Sequence, residues 1–115
     1  MSKPTLKQQF KDIRKAAKKS GLSVRKDSRL KKSPYRAMNP RAAKLLKQPC
    51  PPRALTYDPR LDDTMREKVL DIRHELIEHK EIGRLEKKGV PRNKRYPKAH
   101  RVANRKQRTI GAEND

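Results

Sequence analysis

The chain has 115 residues, enough for one small domain, and its 33 lysines and arginines against 13 aspartates and glutamates give a formal net charge of +20. Leucine, isoleucine, valine and phenylalanine together make up about 17% of the chain, and tryptophan is missing. Such a low apolar content with such a high charge is typical of chains that do not fold alone, so the composition argues against an enzyme and favours a polyanionic partner.

The charged residues divide the chain into three segments. Residues 1–57 hold 17 basic and two acidic side chains, residues 58–86 hold six and nine, and residues 87–115 hold ten and two. Blocks of different charge indicate different surroundings. We therefore predict a basic N-terminal arm over 1–57, an acidic, amphipathic helix within 58–88 that docks on protein, and a basic C-terminal arm over 89–115.

The first predicted helix covers residues 6–19. A capping box formed by Thr5 and Gln8 marks its start, and Gly21 marks its end. Its apolar stripe has spacings of four, three and four: Leu6, Phe10, Ile13 and Ala17. Basic residues cover the other faces, so the pattern favours a helix that rests on protein and holds phosphates. A solvated surface helix and an uncleaved mitochondrial targeting helix are the alternatives.

A second, short helix is predicted over residues 40–47. Asn39 is a natural N-cap, Pro40 a natural first residue, and Pro49 ends the pattern. Between the first two helices, residues 23–38 contain few apolar side chains and no clean period. We predict that this segment is extended chain lying on a partner.

The third predicted helix covers residues 62–87. Acidic residues open it and Lys87 and Lys88 close it, which suits the helix dipole, although Gly83 could end it early. Its apolar stripe is the predicted protein-docking surface: Met65, Val69, Ile72 and Leu76.

Residues 74–79, His-Glu-Leu-Ile-Glu-His, have the look of a zinc-protease motif but the wrong spacing. That motif needs two histidines four residues apart, whereas His79 follows His74 by five, which places the rings about 140° apart around a helix. The remaining His74/Glu78 and Glu75/His79 pairs suit ordinary surface stabilisation. We therefore predict no metal site, no cofactor and no catalytic residue.

The C-terminal arm is basic without interruption, because residues 89–110 contain eight basic and no acidic side chains. Tyrosine and histidine lie among them, a mixture that suits phosphate contact with some base stacking. A short helix over residues 98–108 could order on binding, and a disordered tail or nuclear localisation patch is the alternative.

We therefore predict a mostly α-helical, extended and non-globular protein, with isolated helices, long irregular segments and no independent core. The predicted partners are RNA, with ribosomal RNA favoured, and neighbouring proteins, without a membrane or a small-molecule substrate. The predicted RNA-binding residues are Lys7, Lys11, Arg14, Lys15, Lys18, Arg25, Lys26, Arg29, Lys31, Lys32, Tyr35, Arg36, Arg92, Lys94, Arg95, Tyr96, Lys98, Arg101, Arg105, Lys106 and Arg108.

Basic arms, isolated helices and little core resemble, in style only, the small proteins that fill ribosomes. The expected function is that of a structural component of a large ribonucleoprotein, with a lineage-specific mitochondrial ribosome favoured over the cytoplasm or nucleus. A spliceosomal or ribosome-biogenesis factor is the first alternative. A filament-bound protein, such as one lining microtubules, is the second.

Overall fold

The computed structural model describes residues 5–27, 35–59 and 64–113, and of residues 107–113 it describes the backbone only. Within these ranges the chain forms four helices and three short strands. In chain order they are α1 (Leu6–Lys19), β1 (Ser23–Lys26), β2 (Ala37–Met38), α2 (Pro40–Leu46), β3 (Ala54–Tyr57), α3 (Met65–Lys87) and α4 (Arg92–Glu113).

The first two helices begin and end as their sequence signals predict. The Thr5 side chain accepts a hydrogen bond from the Gln8 amide at 3.1 Å, and Gly21 takes a left-handed conformation (φ 76°) after α1. Asn39 caps α2 by accepting from the Ala42 amide at 2.9 Å. The predictions over residues 6–19 and 40–47 are therefore confirmed, the second to within one residue.

The three strands form a small mixed sheet that the sequence did not predict. Its order is β1–β3–β2, with β1 parallel and β2 antiparallel to β3. The central strand β3 is buried along its whole length. The described parts of the segment predicted to lie on a partner thus include two strands that pair with the chain's own β3.

Two apolar cores lie along α3. The first core surrounds its N-terminal half and contains Ile13, Ala17, Leu22, Ala37, Leu55, Tyr57, Val69, Ile72 and Leu76. The second core lies at its C-terminal half and contains Met38, Ala42, Ala43, Ile82, Leu85 and Ala99. Gly83 does not end this helix, which continues to Lys87.

The predicted docking stripe is part of the first core. Val69, Ile72 and Leu76 are buried against the chain's own α1 and sheet, and Met65 is half-buried at the edge of the same core. The surface that we expected to contact a neighbouring protein is therefore covered by other parts of the same chain. The predicted start of this helix at residue 62 lies outside the described residues, which place Met65 first and Thr64 as the N-cap.

The prediction of an extended, non-globular chain without a core is wrong. The four helices and the sheet form a compact globule with a radius of gyration of 13.8 Å, close to the value of about 13 Å typical of a folded domain of this size. The C-terminal arm forms α4, which packs along α3. None of the described helices is long and apolar enough to cross a membrane.

Candidate nucleic-acid interface and a buried His/Glu cluster

A groove of about 760 Å³ lies between α1, β1 and the start of α3. Its apolar lining comes from Phe10, Leu22, Val24 and Met65. Its cations, all exposed and all on α1, are Lys7, Lys11, Arg14, Lys15 and Lys18. None of the described residues that line this basic groove is acidic. The five predicted N-terminal contacts on α1 are therefore brought to one surface.

The basic groove follows from the periodicity of α1. Lys7, Lys11, Arg14 and Lys18 repeat at four, three and four residues, so they form one row beside the buried stripe. This row spans about 16 Å along the helix axis. Phe10 packs against the first core and also lines the groove, with the Arg14 guanidinium carbon 6.0 Å from its ring centroid. An aromatic ring among cations can take both a base and its phosphates.

The other predicted N-terminal contacts have different surroundings. Arg25 and Lys26 are exposed on β1. Arg36 forms ion pairs with Glu67 at 3.4 Å and Asp71 at 3.1 Å, and so joins the start of β2 to α3. Tyr35 packs against the second core. Arg29, Lys31 and Lys32 lie outside the described residues.

On α4, most predicted contacts lie on the surface and two turn inward. The Arg95 Nε donates to the Val90 carbonyl at 2.9 Å, and Tyr96 packs against the second core. The Arg108 side chain lies outside the described part. The exposed cations of this helix are Arg92, Lys94, Lys98, Arg101, Arg105 and Lys106.

The described structure also brings His100 beside the His74/Glu78 pair, a contact that sequence reasoning did not predict. Glu78 Oε2 lies 3.1 Å from His74 Nε2 and 2.9 Å from His100 Nδ1. These three atoms lie within 4.8 Å of one another. His74 and Glu78 are on successive turns of α3, and His100 approaches from α4. We call these three residues the His/Glu cluster.

The His/Glu cluster is buried on one side and reachable on the other. The side chain of Glu78 is 2% exposed and that of His74 is 10% exposed, whereas that of His100 is 42% exposed. A cavity of about 200 Å³ borders all three residues, with Tyr35, Met38 and Tyr96 among its other lining residues. The pairs that we expected on a helix surface thus lie in the interior, beside a small space.

Asn39 connects α2 to both buried carboxylates of α3. Its Nδ2 donates to Glu75 Oε1 at 2.9 Å and to Glu78 Oε1 at 3.1 Å. Because its Oδ1 also caps α2, the whole amide group is used. The Glu78 carboxylate is therefore held by one oxygen, while the other faces the two imidazole rings.

Burial perturbs the ionisation of several groups here. Burial, reinforced by the nearby Glu78 carboxylate, raises the pKa of Glu75 well above its usual range. Burial also raises the pKa of Tyr96. On the other side of α3, burial and the Arg41 guanidinium lower the pKa of His79 to about 4. His79 is not a member of the cluster, which agrees with the angular separation expected from its spacing to His74.

No protein-family model, curated protein or solved structure matches this chain. Its function is therefore inferred from its own residues.

Proposed function

We propose that this protein is a structural RNA-binding component of a ribonucleoprotein and that the basic groove binds single-stranded or distorted RNA. The observation that supports this proposal best is the groove's lining. Five cations from α1 lie along one side of an apolar floor that contains one aromatic ring. Phosphates suit the cations and an unstacked base suits the ring.

The charge of the whole molecule supports the same class of partner. A net charge of +20 attracts any polyanion, and the binding of each phosphate would release condensed counterions. The exposed cations of α4 provide further phosphate contacts without base readout. Ribosomal RNA is the RNA that we propose.

The experiment is a titration of the full-length chain with single-stranded RNA at several salt concentrations. The test variant replaces Lys11, Lys15 and Lys18 with glutamine. The control variant replaces Lys44, Lys80 and Lys87, which are exposed elsewhere, and so removes the same charge. In the test variant, the magnitude of the negative slope of log affinity against log salt should decrease by about two to three. In the control variant it should decrease by less than about one.

Equal losses in the two variants would mean that the protein binds as an unspecific polycation, without a localised groove. A second experiment tests the cellular partner. The tagged protein should co-sediment with a particle and be released from it by ribonuclease. Retention after ribonuclease would instead favour an acidic filament as the partner.

A further inference from the structure

We propose that His74, Glu78 and His100 form a binding site for a transition-metal dication, zinc above all. This site is separate from the basic groove and does not depend on RNA binding. The three ligand atoms would be His74 Nε2, Glu78 Oε2 and His100 Nδ1, which lie within 4.8 Å of one another.

The donor set and its spacing suit zinc. Two imidazole nitrogens and one carboxylate oxygen are among the ligands that zinc prefers, at about 2.0–2.2 Å. Tetrahedral ligands at that distance are about 3.4 Å apart. The two separations from Glu78 Oε2, 3.1 Å and 2.9 Å, are slightly shorter, and the two imidazole nitrogens lie within 4.8 Å of each other. The side chains would therefore have to shift to bring all three separations to the tetrahedral value.

The surroundings supply the outer support that a metal site needs. Asn39 donates to the other oxygen of Glu78, which fixes the carboxylate and leaves Oε2 directed at the rings. Tyr96 stacks on His100 with ring centroids 5.3 Å apart. The His74 and His100 rings form an edge-to-face pair with centroids 5.0 Å apart. These contacts limit the orientation of both imidazoles.

Charge and access favour a cation at this place. The Glu78 side chain is 2% exposed, and a buried carboxylate needs a positive partner close to it. The cavity beside the cluster gives an ion a route of entry. With three protein ligands, the fourth position of a tetrahedral ion would be open to a water molecule or a small anion from that cavity.

A plain hydrogen-bonded network is the competing explanation, in which each imidazole N–H donates a hydrogen bond to Glu78. Zinc titration of the tag-free, chelator-treated full-length chain separates the two. The chain should bind one zinc ion, and His100→Gln should weaken its affinity about 100-fold or more, since even outer partners of a metal site contribute 10- to 100-fold.

His79→Gln is the matched control, because it removes a buried histidine from the same helix outside the cluster. It should leave zinc affinity within about threefold of the unmodified chain. Far-UV circular dichroism should first confirm that both variants are folded. Equal affinity of His100→Gln and the unmodified chain would overturn the proposal.

Imidazole NMR spectra of the unmodified chain give a second test that does not depend on a variant folding. The chain has three histidines, and zinc should shift the ring signals of His74 and His100 but not of His79. Cobalt in place of zinc should give the visible absorption of a four-coordinate site. Binding of neither metal at sub-millimolar concentration, or a shift of His79 alone, would leave the hydrogen-bonded network as the explanation.

Discussion

Arg41 of α2 lies directly against Gly83 of α3. A Cβ atom on Gly83 would come within 2.5 Å of the Arg41 Nη1, which donates a hydrogen bond to the His79 carbonyl at 3.0 Å. The glycine that could have ended the helix instead gives room to an arginine that joins two helices. Glycine at position 83 lowers the helix propensity of α3, but it permits the charge-assisted hydrogen bond from Arg41 to the His79 carbonyl.

We predict that Gly83→Ala changes stability differently in two backgrounds. In Arg41→Ala it should stabilise the protein by about 0.5–1 kcal/mol, because alanine is the better helix former. In the unmodified chain this gain should be cancelled or reversed, because the methyl group displaces the guanidinium from the His79 carbonyl. Urea denaturation of the four proteins should give a coupling of about 1–3 kcal/mol. The same stabilisation in both backgrounds would show that Arg41 moves aside without cost.

The isolated protein should unfold cooperatively, contrary to what its composition suggests. Ile72 is completely buried in the first core, so Ile72→Ala should lower the free energy of unfolding by about 2–5 kcal/mol. Ile77 is the matched control, since it lies half-buried on the same helix and its truncation should cost clearly less. Urea titrations monitored by circular dichroism measure both. A non-cooperative transition, or equal losses for the two variants, would contradict the compact fold.

The composition led to a wrong prediction of the fold because the cores depend on alanine. Alanine is left out when only leucine, isoleucine, valine and phenylalanine are counted. Alanines at positions 17, 42, 99 and 103 are completely buried, and a small side chain lets backbones approach closely. Leucine, isoleucine, valine and phenylalanine alone therefore underestimate the apolar area that this chain can bury. The high net charge is compatible with this fold, since most of the described cations lie on the surface.

Local signals predicted the helices, whereas contacts between distant residues could not be read from the sequence. Caps and glycines lie within a few residues of the helix ends that they determine, so Thr5, Asn39 and Gly21 mark helix ends correctly. Strand β1 has the sequence Ser-Val-Arg-Lys and β2 has two residues, too little for an alternating pattern. Only pairing with β3 makes them strands.

The His/Glu cluster depends on the packing of α4 against α3. The i,i+4 spacing of His74 and Glu78 was visible in the sequence, but His100 lies 22 residues after Glu78 in what looked like a basic tail. A helix spanning residues 92–113 has Pro97 in its second turn, which weakens the helical pattern. Without that helix, nothing in the sequence places the His100 imidazole near that of His74.

Asn39 should contribute more to the stability of the fold than an ordinary N-cap residue does. Asn39→Ala removes the cap of α2 and the amide donor to Glu75 and Glu78, so it should lower the free energy of unfolding by about 2–4 kcal/mol. Thr64→Ala is the control, because Thr64 caps α3 at an exposed position, and its loss should be about 1 kcal/mol. Chemical denaturation of the metal-free protein measures both. Similar losses would mean that the contacts of Asn39 with the carboxylates contribute nothing measurable.

Phe10 and Tyr96 should have different roles. The sequence predicts Tyr96 as a residue on which a base stacks, whereas the structure places Phe10, and not Tyr96, in the basic groove. Tyr96 packs against the second core and stacks on His100, so Tyr96→Ala should lower the free energy of unfolding by about 1–3 kcal/mol. Its RNA affinity, measured well below the melting temperature, should stay nearly constant. Phe10 lines the basic groove, so Phe10→Ala should weaken RNA binding by about 1–3 kcal/mol if a base stacks on the ring.

Phe10→Leu separates stacking from packing, because leucine keeps most of the contact with the first core and removes the aromatic face. It should retain most of the stability and lose most of the affinity that Phe10→Ala loses. The salt slope should change little in either variant, since no phosphate contact is removed. RNA titrations at several salt concentrations, together with melting curves, distinguish these effects. An affinity loss in Tyr96→Ala alone would place the bound base at α4, outside the basic groove.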